Sequence, residues 1–346
     1  MKMKKSITLL LCLLMICTGA VAQYNTSKTV MSFPVRDLPT YYVPEGQRTY
    51  SISCGFARQV SPYITPGEVA AQINLDGWQM VNNPDNAYLR ITINAYDFLI
   101  EGIHEEKFTE MVRHHGDLVP VDFFTPIIDY SMVIEYVFDS NDSRQTYTNV
   151  DVFSHRPPIN TFRMDKSFRS PRDCHDFVRE NKEVFIEKII RTEIYSAIER
   201  INKNLVPAYV YTPSTDQIKI AFFSSKKSPY YAKHQSGRNE VRDIINSMPL
   251  SGSLAPTIRK MQPWIEHFKE IEKSLSSTNK KQKSAKADMV YNLAMIYYAL
   301  EIFDVSREYA NRLVTEFDQT NGKRILRNID AMEADMKRHN VLTRHF

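Results

Sequence analysis

YLRITINAYDF, residues 88 to 98, is the stretch that decides the fold. Leu89, Ile91, Ile93 and Ala95 alternate with Arg90, Thr92 and Asn94, the period of a strand with one buried face. Upstream, Tyr50, Ile52, Cys54 and Phe56 alternate with small residues in the same way. Between the two runs, TPGEVAAQINLDGW supplies Thr65 as a cap, Pro66 at the first helical position and Glu68 to close a capping box. That predicts a short helix ending near Gly77. Downstream, residues 101 to 126 contain HEEKFTEMVRHHGD, which is charged and without a clear period, and a loop is expected there. Residues 129 to 153 hold two runs rich in Val, Tyr, Ile and Thr around Asp139 to Ser143, which predicts a β-hairpin.

Ser170 and Pro171 open the longest helix of this region, with Val178, Phe185, Ile189, Ile194, Ala197 and Ile201 as its apolar stripe. Short strands are expected at 208–212 and 217–223. Strand, helix, strands, helix, strands is the plan of an α+β domain, with helices packed on one face of a mainly antiparallel sheet. The element order faintly resembles small α/β domains of Gram-negative envelope proteins of the Tol and curli-secretion kind. That resemblance implies binding and carries no diagnostic motif.

The N-terminus, MKMKKSITLLLCLLMICTGAVAQ, has a lysine-rich start, an apolar run from Ile7 to Ile16 and an A-x-A site at Ala20 to Ala22. These are the parts of a secretory signal peptide, and we place cleavage after Ala22. The apolar run is well short of the ~20 residues that span a bilayer. Ile16 before Cys17 does not suit a lipidation site. Cleavage removes Lys2, Lys4 and Lys5, so the +4 of the whole chain falls by three to +1. The basic balance is then no argument for nucleic acid. An exported, periplasmic or extracellular protein with no transmembrane segment is expected, and its oligomeric state is open.

Cys54 and Cys174 are the cysteines left after cleavage. Export favours a disulfide, and both lie on faces expected to turn toward the sheet–helix layer. Two buried thiols acting as small hydrophobes are the alternative. A nucleophilic Cys174 with His175 as its base is a third option, disfavoured because adjacent helical residues diverge by about 100°.

Near the C-terminus, DMVYNLAMIYYALEIFDVSREYANRLVTEF carries Leu293, Ala294, Tyr297, Ser306, Tyr309 and Ala310 at spacings similar to a single tetratricopeptide repeat. Val290 and Ser306 depart from that pattern. The resemblance implies that partners bind on Tyr291, Asn292, Met295 and Tyr298. Packing of Tyr291 and Tyr298 against the neighbouring helix or the α/β domain is the competing expectation. One repeat cannot bury its own faces, so flanking helices, one with Trp264 and Phe268 and one with Ile325, Ile329, Met332 and Met336, are expected to cap it.

The resulting division is a signal peptide over 1–22, an irregular segment over 23–49 with Pro34, Pro39 and Pro44, the α+β domain over 50–223, a polar linker over 224–254 and a helical domain over 255–346. No phosphate-binding glycine loop, G-x-S-x-G elbow or C-x-x-C pair is present, and no cofactor or metal is expected. The reading favoured is a non-enzymatic envelope protein that binds a protein or peptide partner. The competing class is a hydrolase or carbohydrate-acting enzyme using His114, His115, Asp117 and Asp176.

Overall fold

The computed structural model describes residues 23–140, 144–148 and 159–346. It divides into two compact units, one formed by Pro39–Val210 and the other by the segment ending at Leu38 together with Tyr211–Phe346. The chain is α+β, with helices gathered toward its C-terminus.

The Pro39–Val210 unit is built on a sheet of β2 (Thr49–Phe56), β3 (Gln79–Met80), β4 (Leu89–His114), β5 (Asp117–Ser140), β6 (Arg144–Thr148) and β7 (Ile159–Arg163). Its order is β3-β2-β4-β5-β6, with β7 also on β5. Strands β2 and β4 run parallel, with Tyr50 opposite Leu89 and Phe56 opposite Ala95, and the pairs of β4–β5, β5–β6 and β5–β7 are antiparallel. Leu89, Ile91, Ile93 and Ala95 are all buried, as their alternation requires. The tip of the predicted 139–143 turn lies partly outside the described residues, while its two strands pair with Asp139 opposite Arg144.

Helix α1 (Pro66–Ala70) carries the capping box reciprocally: Thr65 accepts from Glu68 N, and Thr65 N donates to Glu68. Helices α2 (Pro171–Glu180) and α3 (Lys182–Tyr209) succeed one another at Asn181, where the predicted single helix breaks. Val178, Ile189, Ile194, Ala197 and Ile201 enter the same core as the inner face of β4.

Residues 101–126 are a correction. They are not a loop: β4 and β5 continue through them as one long antiparallel hairpin. Its tip is His115-Gly116, with φ of 48° and 99°, the paired positive values of a two-residue hairpin turn.

The second unit is not all-helical. Strand β1 (Thr26–Asp37) pairs antiparallel with β8 (Thr212–Phe223), Thr26 opposite Phe223 and Asp37 opposite Thr212. Much of the segment expected to be irregular is therefore a strand, and Pro34 is tolerated because, among the described residues, a strand bonds β1 on one side alone. The expected strands at 208–212 and 217–223 resolve into the end of α3 and the single strand β8. Around the ribbon lie α4 (Tyr231–Asn246), α5 (Ala255–Ser274), α6 (Lys280–Ala299), α7 (Phe303–Thr315) and α8 (Thr320–Arg338). The expected linker is mostly α4, which buries His234, Val241, Ile244 and Ile245. The lysine run 280–283 is the first turn of α6, capped by Asn279.

Helices α6 and α7 do form a close hairpin. Ser306 Oγ donates to Ala294 O at 2.7 Å, and Tyr297 stacks on Tyr309. Trp264, Phe268, Ile325, Ile329 and Met336 are buried in the same cluster, as expected of capping helices.

Candidate functional site

The sheet of the Pro39–Val210 unit leaves one long edge open. Strand β2 accompanies β4 only as far as Ala95. Ala57 N then donates to Ala95 O, and the chain turns away through residues 57–63. Beyond that point β4 runs on to His114 with β5 on one side and, among the described residues, no strand on the other. Unpaired N–H and C=O groups on such an edge are a template for a further strand.

Two irregularities shape the start of this edge. Register shifts fall between Tyr96 and Phe98 and between Ile100 and Gly102, and Asp97 takes a φ of 29°. Such bulges re-aim side chains and increase local twist. Here the first keeps Phe98 in the core while Leu99 stays exposed.

Alongside lies a groove made of two adjoining cavities of about 440 Å³ each. The one nearer β2 is lined by Arg58, Pro62, Tyr63, Phe98, Leu99, Ile100, Lys182 and Ile186, among others. The next is lined by Ile100, Ile103, His175, Val178, Arg179 and Lys182. Its floor is apolar and its rim cationic, and among the described residues no aspartate or glutamate lines either cavity.

The neighbouring carboxylates are already engaged. Tyr63 donates to Glu183, and that hydrogen bond, with smaller contributions from burial and charge, pushes the phenol up to about 12. His175 Nε2 lies 2.7 Å from Glu105, and Arg179 bonds Asp176 at 2.7 Å. Arg58 and Lys182 are exposed, with no bond to a carboxylate among the described residues.

The residues singled out from the sequence fall elsewhere. Tyr291, Asn292 and Tyr298 are buried, Asn292 completely. The face they form is covered by the chain's own ribbon: Asn292 donates to Ala221 O at 2.8 Å and accepts from Ala221 N at 2.7 Å. Lys28 of β1 lies 4.2 Å above the Tyr291 ring. Met295 is half-buried against the same cluster. A partner surface on these four residues is thus corrected. Tyr291 and Asn292, which would face a peptide in a repeat, face the protein's own strands.

The disulfide is corrected as well. Cys54 and Cys174 are free thiols. Cys54 is opposite Ile93 on β4, whereas the neighbour of Cys174, His175, bonds Glu105, twelve positions farther along the same strand. At ~3.3 Å per residue that is about 40 Å of strand, far beyond the ~6 Å a disulfide spans. Burial pushes the Cys54 thiol up to about 11 and raises that of Cys174, so neither is activated as a thiolate.

His114, His115 and Asp117 cluster at the exposed hairpin tip, with the two imidazoles 4.2 Å apart. Asp176 lies on α2, on the same helix as His175, which meets β4 at Glu105, nine residues of strand before His114. The four do not converge. Among the described residues no group of three or more His, Cys, Asp or Glu could hold a metal, and no helix is long and apolar enough to cross a membrane.

Among the described residues the open edge and its groove carry no nucleophile beside a base. What they offer is backbone hydrogen bonding beside apolar sockets and positive charge. The site is not legible in the sequence because the edge beyond residue 100 reads as a loop; the alternation of Phe98, Ile100 and Ile103 is broken by the bulges.

Comparison with known proteins adds little. No protein family and no curated protein matches the chain. A solved structure of a minor lipoprotein from Acinetobacter baumannii aligns at 8% identity, over 49% of this chain and 99% of that one, with a TM-score of 0.20. A likeness of that size carries no argument.

Proposed function

We propose that this is an exported, non-enzymatic envelope protein that holds an extended segment of a protein partner along the open edge of β4. The N-terminal sequence supports export. The observation that carries the binding reading is the coincidence of an unpaired strand edge with an apolar groove immediately beside it. In strand addition, main-chain bonds supply affinity and pockets for alternate side chains supply specificity.

Photo-crosslinking in the native envelope tests it. A benzoyl-phenylalanine at exposed Leu99 or Ile103 is expected to trap a partner through one extended segment, identifiable by peptide mass. The same probe at exposed Tyr195 of α3 is the control. Equal trapping at all three positions, or none at Leu99 and Ile103, would remove the proposal.

A further inference from the structure

We infer that the segment received by β4 is the free C-terminus of a partner polypeptide, bound antiparallel to β4 with its terminal carboxylate between Arg58 and Lys182. The inference rests on the groove reading above and specifies what enters it.

The open edge of β4 is blocked at one end. Ala57 N donates to Ala95 O, and the chain leaving β2 after Phe56 turns through residues 57–63, placing Arg58, Pro62 and Tyr63 in the lining of the groove there. An added strand cannot continue past this turn without leaving the β4 edge. A terminus fits where an internal segment must bend away.

Direction follows from charge. Because β4 runs away from the blocked end, a peptide antiparallel to it brings its C-terminus there, and a parallel one brings its N-terminus. Arg58 lines the cavity at that end and Lys182 lines both cavities where they adjoin, and neither has a carboxylate partner among the described residues. Lys182 is also the first residue of α3, whose N-cap residue Asn181 makes no side-chain capping bond. Glu183, the acidic residue of that first turn, accepts from Tyr63, so two cations face one carboxylate at this end. A carboxylate is matched at this end, while an α-ammonium would meet two like charges. Antiparallel pairing is also the slightly more stable arrangement per residue.

The apolar floor sets the rest of the preference. Phe98, Ile100, Pro62 and Ile186 surround the blocked cavity, and Ile103 and Val178 the next. Side chains on one face of a strand recur every second residue. The expected ligand therefore ends in a large apolar residue and carries another two positions earlier.

Fluorescence anisotropy with two probe pools tests the inference on the full exported chain. Both are N-terminally fluorescein-labelled decapeptides in which Val, Ile, Leu or Phe alternates with Ser or Thr. One pool ends in a free carboxylate and the other in a carboxamide. The acid pool is expected to bind at least tenfold more tightly, with the gap narrowing at 0.5 M salt. Arg58→Gln and Lys182→Gln should each reduce the gap several-fold, and the double variant should close it; both residues are exposed, so folding is preserved. Ile186→Trp, which fills the cavity, should weaken both pools. Equal binding of acid and amide, still lost in Ile186→Trp, would overturn the C-terminal inference and leave the groove reading standing. No binding of either pool, or binding indifferent to Ile186→Trp, would overturn both.

Discussion

Removing one amide, that of Asn292, tests whether the helical hairpin faces inward. Its side chain is fully buried and makes paired hydrogen bonds of 2.7 and 2.8 Å to the N–H and C=O of Ala221 in β8. Asn292→Ala leaves one donor and one acceptor of the strand without partners, in a place with no access to water. Each orphaned group costs about 1–3 kcal/mol, so a loss of roughly 4 kcal/mol is expected. With a urea dependence of about 2 kcal/mol per molar, the midpoint falls by roughly 2 M. The two tryptophans report separately: Trp78 belongs to the Pro39–Val210 unit and Trp264 to the other. In a Trp78→Phe background, Trp264 fluorescence follows the unit that contains Asn292. Met295→Ala, at a half-buried position, should cost about half as much or less. If Asn292→Ala changed stability by under 1 kcal/mol, the reading of this face as an internal seam would be wrong.

Other consequences follow from buried groups. Arg344 bonds Glu301, their side chains being 5% and 4% exposed, and also reaches Asp216; Arg344→Met should destabilise by about 3–5 kcal/mol because the buried Glu301 charge keeps hydrogen bonds from Thr343 and the backbone but loses its cation, and Arg344→Met/Glu301→Leu should recover part of that in the same urea assay. Gly237→Ala should lower the melting temperature of the Trp264-containing unit although alanine favours helix, because an added Cβ would lie 1.8 Å from the Trp264 ring; a rise would contradict the packing of α4 on α5. Burial lowers the imidazole of His234 to about 3, and that of His267 is lowered as well, again chiefly by burial. The unfolded chain, with histidines near 6.5, then binds more protons than the native one, so stability is present above that pH and is lost on acidification from about 6.5 toward 3. Urea midpoints between pH 6.5 and 5 should fall in the parent and fall less steeply in His234→Asn; equal slopes would refute it.

The strands at 49–56 and 89–95 were legible because one face of each meets the core, and the capped helix because Thr65, Pro66 and Glu68 act locally. The hairpin over 101–126 was not. Around Lys107 to Leu118 both faces are largely solvent-exposed, so nothing imposes alternation on residue type, and the charges resemble those of a loop. Strand β1 was hidden for another reason: its partner lies nearly 190 residues away, at Ile218 opposite Met31, and its prolines suggested irregular chain. The outline of α6 and α7 was legible, since small residues at Ala294, Ser306 and Ala310 permit close crossing. Which surface their outer face would meet was not, because that depends on the same distant pairing. The groove was invisible for a combination of these causes: it needs the end of β2, the bulges of β4 and the start of α3 together.

The central claim is that β4 takes up a strand beside residues 98–104. Amide hydrogen exchange, read residue by residue with and without the free-carboxylate peptide pool, tests it most directly. Slowed exchange within residues 98–104, with residues 291–298 unchanged, is the predicted result. Binding that leaves 98–104 unprotected, or that protects 291–298 instead, would contradict it.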